Sequence, residues 1–233
     1  MCFTQGKISI LNIGKWLIVG LALFLSGYVW KDEVGEVRMV KDQKLAEKYC
    51  PIIVQAKNIK PEPEAIYYRM AEEDGTLLIA YHIAWAYEKD DQKGPIHAWT
   101  RATYTGGLHL QKIIYGPGDI EAIEFKIDKK TGKILRIRFE TARFSEKGKV
   151  IHIPVVLCGK ECPSKPPIYL EVISWNHLFK IITPEQAKGK KIYQLKPKYF
   201  DEKLWKYYRI TKKHQGPLSR DRAHFQWETK CKD

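Results

Sequence analysis

Residues 119–144 read DIEAIEFKIDKKTGKILRIRFETARF, and this stretch predicts an antiparallel hairpin. Leu135, Ile137 and Phe139 alternate with charged residues, which is the period-two pattern of a strand with one wet face. Between the two predicted strands, the Lys-Thr-Gly of residues 130–132 places a glycine where a hairpin turn needs positive φ.

Similar segments lie on both sides of this hairpin and are separated by further glycine-bearing turns at residues 73–75 and 146–148. We predict strands at 52–54, 66–70, 76–87, 97–105, 108–115, 119–127, 133–144, 150–157 and 168–173. Helices are predicted at 41–49 before Pro51, from Thr183 onward, and at 202–210 after Asp201. The expected fold is mainly β, an antiparallel, jelly-roll-like sandwich with short peripheral helices.

The N-terminal residues 8–30, ISILNIGKWLIVGLALFLSGYVW, form the one long apolar run. Its cleanest part, residues 16–30, is short for a bilayer span of about 20 residues. It is either a signal-peptide core or a short transmembrane signal anchor. Leu25-Ser26-Gly27 is a poor cleavage site, and Trp16 and Trp30 suit membrane interfaces, so an anchor is favoured. We therefore expect a single-pass protein of the cell membrane with its domain outside the cytoplasm, or a secreted one if the signal is cleaved.

The remaining boundaries follow from this assignment. Residues 31–40 are a charged linker, residues 41–180 the sandwich domain, and residues 181–233 a helical and basic extension packed on the sandwich. The net charge is +13, and setting aside the two lysines of residues 1–30 leaves +11 outside. Such a charge suits anionic lipid or acidic polysaccharide, although well-mixed Lys and Glu also describe an ordinary solvated surface. Nucleic acid is not an expected partner of an exported domain.

Four cysteines follow the apolar run, and an even number in an exported domain predicts disulfides. The short spacing of Cys158 and Cys162 favours a small closed loop, which leaves Cys50 to pair with Cys231. A zinc site is the competing interpretation, but the chain offers no second ligand pair at suitable spacing.

The candidate functional site lies at the start of the strand at 119–127. Asp119 and Glu121 share a strand face with Ile123 and Phe125, the more apolar face, and therefore point inward. Buried carboxylates need compensation, and a hard cation such as Ca²⁺ or Mg²⁺ would provide it. His82, His97, His109 and His177 could lie nearby. His82 lies among alanines, which suits close packing, and His97, at a predicted strand start, is the better additional ligand.

Three other interpretations remain open. The two acids could sit on an open rim and pair with Arg101 or Lys112. They could be the acid and base of a glycan or lipid hydrolase, since residues two apart on a strand are separated by roughly 7 Å. The chain could instead be a structural subunit of an envelope complex, docking through the aromatic and basic C-terminal region. The aromatic residues of that region are Trp205, Tyr207 and Tyr208.

The order of several short segments resembles the vacuolar-protein-sorting-62-related family and, more distantly, the necrosis- and ethylene-inducing-peptide-like proteins. The segments lie within residues 45–180 and read LAEKYCPI (45–52), IYY (66–68), YHIAWAY (81–87), GDIEAI (118–123) and IPVVL (153–157). The family shows Gly-Asp-Trp-Glu or His-Asp-Trp-Glu at the acidic motif, where this chain has Ile120 in place of tryptophan.

This resemblance implies a β-sandwich with a short helical periphery. In the necrosis-inducing branch the matching acids hold a divalent cation beside a surface that binds membrane sugars. That property carries over to Asp119 and Glu121 alone, because Gly116 stands where the branch has an upstream histidine.

Overall fold

The structure, a computed structural model, describes residues 38–89, 93–100, 118–146 and 148–208. This part of the chain is mainly β, with two sheets and a few short helices. The strands are β1 (Arg38–Val40), β2 (Ile52–Gln55), β3 (Pro63–Glu73), β4 (Thr76–Trp85), β5 (Asp119–Asp128), β6 (Ile134–Phe144), β7 (Val150–Cys158), β8 (Tyr169–Val172), β9 (Phe179–Ile182), β10 (Lys191–Tyr193) and β11 (Lys198–Tyr199). The helices are α1 (Gln43–Tyr49), α2 (Pro95–Thr100), α3 (Pro184–Ala187) and α4 (Glu202–Tyr207), with a 3₁₀ turn at Gly159–Glu161.

The larger sheet has the order β1-β3-β4-β5-β6-β7, with β11 also paired to β3, and the smaller sheet has the order β10-β2-β8-β9. The quoted hairpin is confirmed: β5 and β6 pair antiparallel with Glu124 opposite Arg138, and Gly132 turns with a φ of 68°. Most pairings are antiparallel, as expected, but β2–β8 and β3–β11 are parallel.

The two sheets share one hydrophobic core. Strand alternation sends every second side chain of the larger sheet toward the smaller one. The shared cluster includes Ile53, Leu170, Val172 and Phe179 from the smaller sheet with Tyr68, Tyr81, Trp85, Phe125 and Phe139 from the larger. The core therefore fixes which face of β5 points inward.

One predicted strand begins as a helix. Residues 95–100 form α2 rather than the start of a strand at His97, and the amide of Ala98 donates to the carbonyl of Gly94. Proline suits the first turn of a helix because its missing amide hydrogen would have no partner there. The remainder of that prediction, and the strand predicted at 108–115, lie outside the described residues.

The chain beyond residue 180 contributes strands as well as helices. Strands β10 and β11 pair with β2 and β3, so this segment belongs to both sheets. It also packs on the larger sheet, where the ring of Phe200 stacks on Tyr67 at 4.9 Å and Arg69 donates to the carbonyl oxygen of Phe200. The linker likewise ends in a strand, because β1 pairs with β3.

Both expected disulfide pairings are wrong, because Cys50 and Cys162 are free thiols. Cys162 is buried and Cys50 is half-buried against the core. Burial raises the pKa of the Cys50 thiol to about 12 and that of Cys162 to about 11, so both stay protonated. A short sequence spacing did not bring the sulfurs together, because Cys162 turns into the core instead.

The apolar run at residues 8–30 lies outside the described residues. Among the helices that the structure does describe, none combines the length and hydropathy of a membrane span.

Candidate functional site

The site is built at the end of the larger sheet where β4 stops and β5 begins. In this register Asp119 lies opposite Trp85 and Glu121 opposite Ile83. Both carboxylates are buried, and they share the inward face with the core residues Ile123 and Phe125. The sequence prediction that Asp119 and Glu121 point inward is therefore confirmed.

Gly118 makes this strand start possible. Its φ is +91°, and a Cβ atom placed on it would collide with the carbonyl oxygen of Trp85. Only glycine combines this backbone conformation with so close an approach of two chains. The absence of a side chain at Gly118 thus allows the backbone just before Asp119 to lie against the end of β4.

A third carboxylate joins the two that the sequence predicted. Glu88 follows β4, and oxygen atoms of Glu88, Asp119 and Glu121 all lie within 4.8 Å of one another. The three residues are 4%, 9% and 2% exposed. Three acidic side chains converging in a buried place repel one another strongly, and positive charge at their centre would relieve that repulsion.

His177 forms the wall next to Asp119. Its Nδ1 lies 2.8 Å from Asp119 Oδ2, and its ring stacks on Trp85 with centroids 4.3 Å apart and planes 6° from parallel. The residue is fully buried and has a φ of +59°, a conformation that is uncommon outside glycine and recurs at functional sites.

The protonation of His177 follows from its surroundings. Burial lowers its pKa to about 4, although Glu88 and Glu121 act in the opposite direction, so the imidazole is neutral near pH 7. A carboxylate can only accept a hydrogen bond, and therefore Nδ1 carries the proton and donates it to Asp119. In the described part of the chain, Nε2 has no hydrogen-bond partner despite being buried. Leaving such a group unsatisfied costs about 1–3 kcal/mol.

His177 lies in the short loop between β8 and β9. The carbonyl of Ser174 accepts from the His177 amide at 3.1 Å, and the Ser174 hydroxyl accepts from the Leu178 amide at 3.1 Å. The preceding residue, Asn176, donates to His152 Nε2 at 2.7 Å, and His152 Nδ1 lies 2.7 Å from a Glu140 oxygen. The loop is therefore fixed from both sides, which holds the His177 ring in place.

The structure brings together some of the predicted residues and adds others. Asp119 and Glu121 meet, whereas His97, half-buried on α2, is not a member of the described carboxylate cluster. Arg101, Lys112 and His109 lie outside the described residues, so their expected proximity stays a prediction. Glu88 was missed because it follows β4 in an irregular segment, where no periodicity marks a direction. His177 was among the histidines expected to lie nearby, and the structure places its ring against Asp119.

No protein-family model, no curated protein and no solved structure matches this chain. The resemblance to the vacuolar-protein-sorting-62-related family and to the necrosis-inducing proteins therefore stays a prediction from short motifs.

Proposed function

We propose that this protein is a binding module whose acidic site holds a divalent cation, Ca²⁺ or Mg²⁺. The observation that carries the proposal is the convergence of three buried carboxylates, from Glu88, Asp119 and Glu121, within 4.8 Å. The geometry of the two sheets around one core supports a β-sandwich as the scaffold.

The chemistry of the donor set favours a hard cation. Carboxylate oxygens are the preferred ligands of Ca²⁺, Mg²⁺ and Mn²⁺, whereas zinc and copper favour sites with imidazole or thiolate. The described cluster contains neither a histidine nor a cysteine ligand. A carboxylate placed on the rigid start of β5 also offers a prepared site, because the strand and Gly118 fix its backbone.

Glycoside hydrolysis, the alternative enzymatic function, receives less support. An inverting glycosidase needs its two carboxyl groups about 6.5–9.5 Å apart so that sugar and water fit between them. Asp119 and Glu121 have oxygens within 4.8 Å, which disfavours the inverting mechanism and is nearer the roughly 5–5.5 Å of retaining enzymes. Both residues, however, lie on one strand rather than on two sides of a cleft. Their burial leaves little surface for a glycan to reach.

The wider setting of the module belongs to the same proposal. The apolar run at residues 8–30 would tether it to the cell membrane, with the sandwich outside the cytoplasm. The positive charge of the outer part would favour anionic lipid or polysaccharide as partners. A structural role in an envelope complex has weaker support: Tyr207 is exposed, but Tyr208 packs against Tyr67 and Phe200.

Terbium luminescence on the full chain in detergent tests the cation site. Tb³⁺ replaces hard divalent cations and emits when a nearby excited tryptophan transfers energy, and Trp85 lies directly opposite Asp119. We expect sensitised emission that Ca²⁺ or Mg²⁺ removes by competition. Asp119→Asn and Glu88→Gln should each weaken binding at least tenfold, because each removes a charged ligand.

Asp128→Asn is the matched control, since Asp128 ends the same strand away from the cluster and accepts from Thr131. It should bind Tb³⁺ like the unaltered chain. Absence of sensitised emission, together with no change in melting temperature on adding Ca²⁺, Mg²⁺ or Mn²⁺, would refute the cation proposal.

A further inference from the structure

We infer that His177 is a positioning residue of the proposed cation site, which orients the Asp119 carboxylate through its Nδ1–H group and is not itself a ligand. This inference rests on the proposed function, because orientation of a ligand matters only where a cation binds. It assigns the histidine of the site to the β8–β9 loop rather than to His97 on α2.

The first argument is the use of the two ring nitrogens. Nδ1 lies 2.8 Å from Asp119 Oδ2, and this contact restricts rotation of the carboxylate about its terminal torsion. Because Nδ1 carries the proton, its lone pair is not available to a metal. The converging ligand atoms of the described residues come from the three carboxylates, and His177 is not among them.

The second argument is that the ring orientation favours the hydrogen bond to Asp119 although, among the described residues, it leaves the other ring nitrogen without a partner. Within the described chain Nε2 lacks a hydrogen-bond partner, so the ring orientation leaves one buried polar atom unsatisfied. A near-parallel stack on Trp85 and a left-handed backbone at His177 both maintain that orientation. Strain of this kind persists where surrounding contacts enforce it, and it concentrates at binding sites.

The third argument is the supporting network behind the loop. Asn176 is held by His152, which in turn contacts Glu140 of β6, so residues 174–177 are tied to the neighbouring strands. Partners that hydrogen-bond a ligating carboxylate typically contribute 10- to 100-fold to metal affinity. His177 supplies that contact for Asp119.

Two substitutions separate the hydrogen bond from the stacking. His177→Asn keeps an amide donor near the place of Nδ1 and tolerates positive φ, but it removes the aromatic stack. His177→Phe keeps a ring against Trp85 and removes the donor. We measure Tb³⁺ affinity and Ca²⁺ competition on the full chain in detergent, with melting temperature in EDTA as the control for folding.

We expect His177→Asn to bind within about threefold of the unaltered chain, and His177→Phe to bind about 10- to 100-fold more weakly. Equal binding by His177→Phe and the unaltered chain would overturn the positioning role, as would equal weakening in both variants. If the unaltered chain binds no cation, the proposed function itself fails; if it binds but His177→Phe is unaffected, the inference alone fails.

A measurement without substitution covers the case in which His177→Phe does not fold. In nitrogen-15 spectra of histidine-labelled protein, His177 should show the Nδ1–H tautomer both with and without Ca²⁺. The His177→Asn spectrum assigns the signal by its loss. Loss of the Nδ1 proton on cation binding, or a shift of the Nε2 resonance to that of a metal-bound nitrogen, would show that the ring ligates the metal, and the positioning role would be wrong.

Discussion

Single residues decide where the acidic site can form. Gly118 allows the chain to pass the carbonyl of Trp85, and this close approach brings Asp119 opposite Trp85. His177 then occupies the space beside both residues, bonded to one and stacked on the other. The local backbone is therefore as important to the site as the carboxylates, because it determines where each carboxylate is placed.

We predict that Gly118→Ala destabilises the protein by about 3 kcal/mol or more, because a methyl group would overlap a backbone oxygen that cannot move independently. Gly75→Ala is the control: it has φ of +75° and open space around its Cβ position. That variant should lose only about 1–2 kcal/mol from the left-handed backbone. Urea unfolding measures both, and similar losses would show that the close approach at Gly118 is unimportant.

At the scale of the elements, a largely buried cross-strand ion pair joins β5 to β6. Arg138 donates two hydrogen bonds to the carboxylate of Glu124, at 2.5 and 2.8 Å, and the two residues are directly opposite in the register. Their side chains are only 14% and 11% exposed. Such a pair discriminates against a slipped register, because a shift of β6 by one residue would place Arg138 and Glu124 on opposite faces of the sheet.

We expect Arg138→Ala to cost about 3 kcal/mol of unfolding free energy, since it removes the bidentate partner of a buried carboxylate. The comparison is Lys129→Ala, because the Lys129–Glu72 pair is far more exposed and should contribute less than about 1 kcal/mol. Chemical denaturation of both variants gives the two values. An Arg138→Ala loss no greater than that of Lys129→Ala would mean that strand packing alone holds the register.

For the whole molecule, we propose that the two-sheet domain and the N-terminal apolar run have separate tasks. The domain carries the acidic cluster at one end of its larger sheet, and the run at residues 8–30 is expected to place that domain outside the cytoplasm. If the proposed anionic partner lies at that membrane, tethering would raise the effective concentration of the module near it.

We predict that the full chain stays with the membrane pellet after alkaline extraction, whereas a chain starting at residue 31 is recovered in the soluble fraction. The reason is the burial of the apolar run in lipid, which high pH does not reverse. Mass spectrometry of the intact protein reports whether residues 1–30 are retained. A mature protein beginning near Gly27 would contradict the anchor and establish a cleaved signal.

Sequence patterns that depend on neighbours along the chain were sufficient for part of the structure. Alternation identified β5 and β6, glycines marked the turns at residues 75, 132 and 148, and Thr183 begins a helix with its capping box. The inward direction of Asp119 and Glu121 also followed from alternation, because side chains two apart share a face. These features are local, because each depends on the conformational preferences of a few consecutive residues.

The tertiary structure determined the contacts between residues that are far apart in sequence, which local sequence patterns do not predict. Glu88 and His177 reach the acidic cluster from segments 31 and 58 residues away from Asp119, through an irregular segment and a loop that carry no periodic signal. Cys50 and Cys162 remain free thiols, because the sheets place both sulfurs among apolar side chains of the core. The sequence by itself determined strands with clear alternation, such as β5 and β6, and the inward face of Asp119 and Glu121. The packing of the two sheets brought Glu88 and His177 to the site, because contacts between distant segments depend on how the whole chain closes.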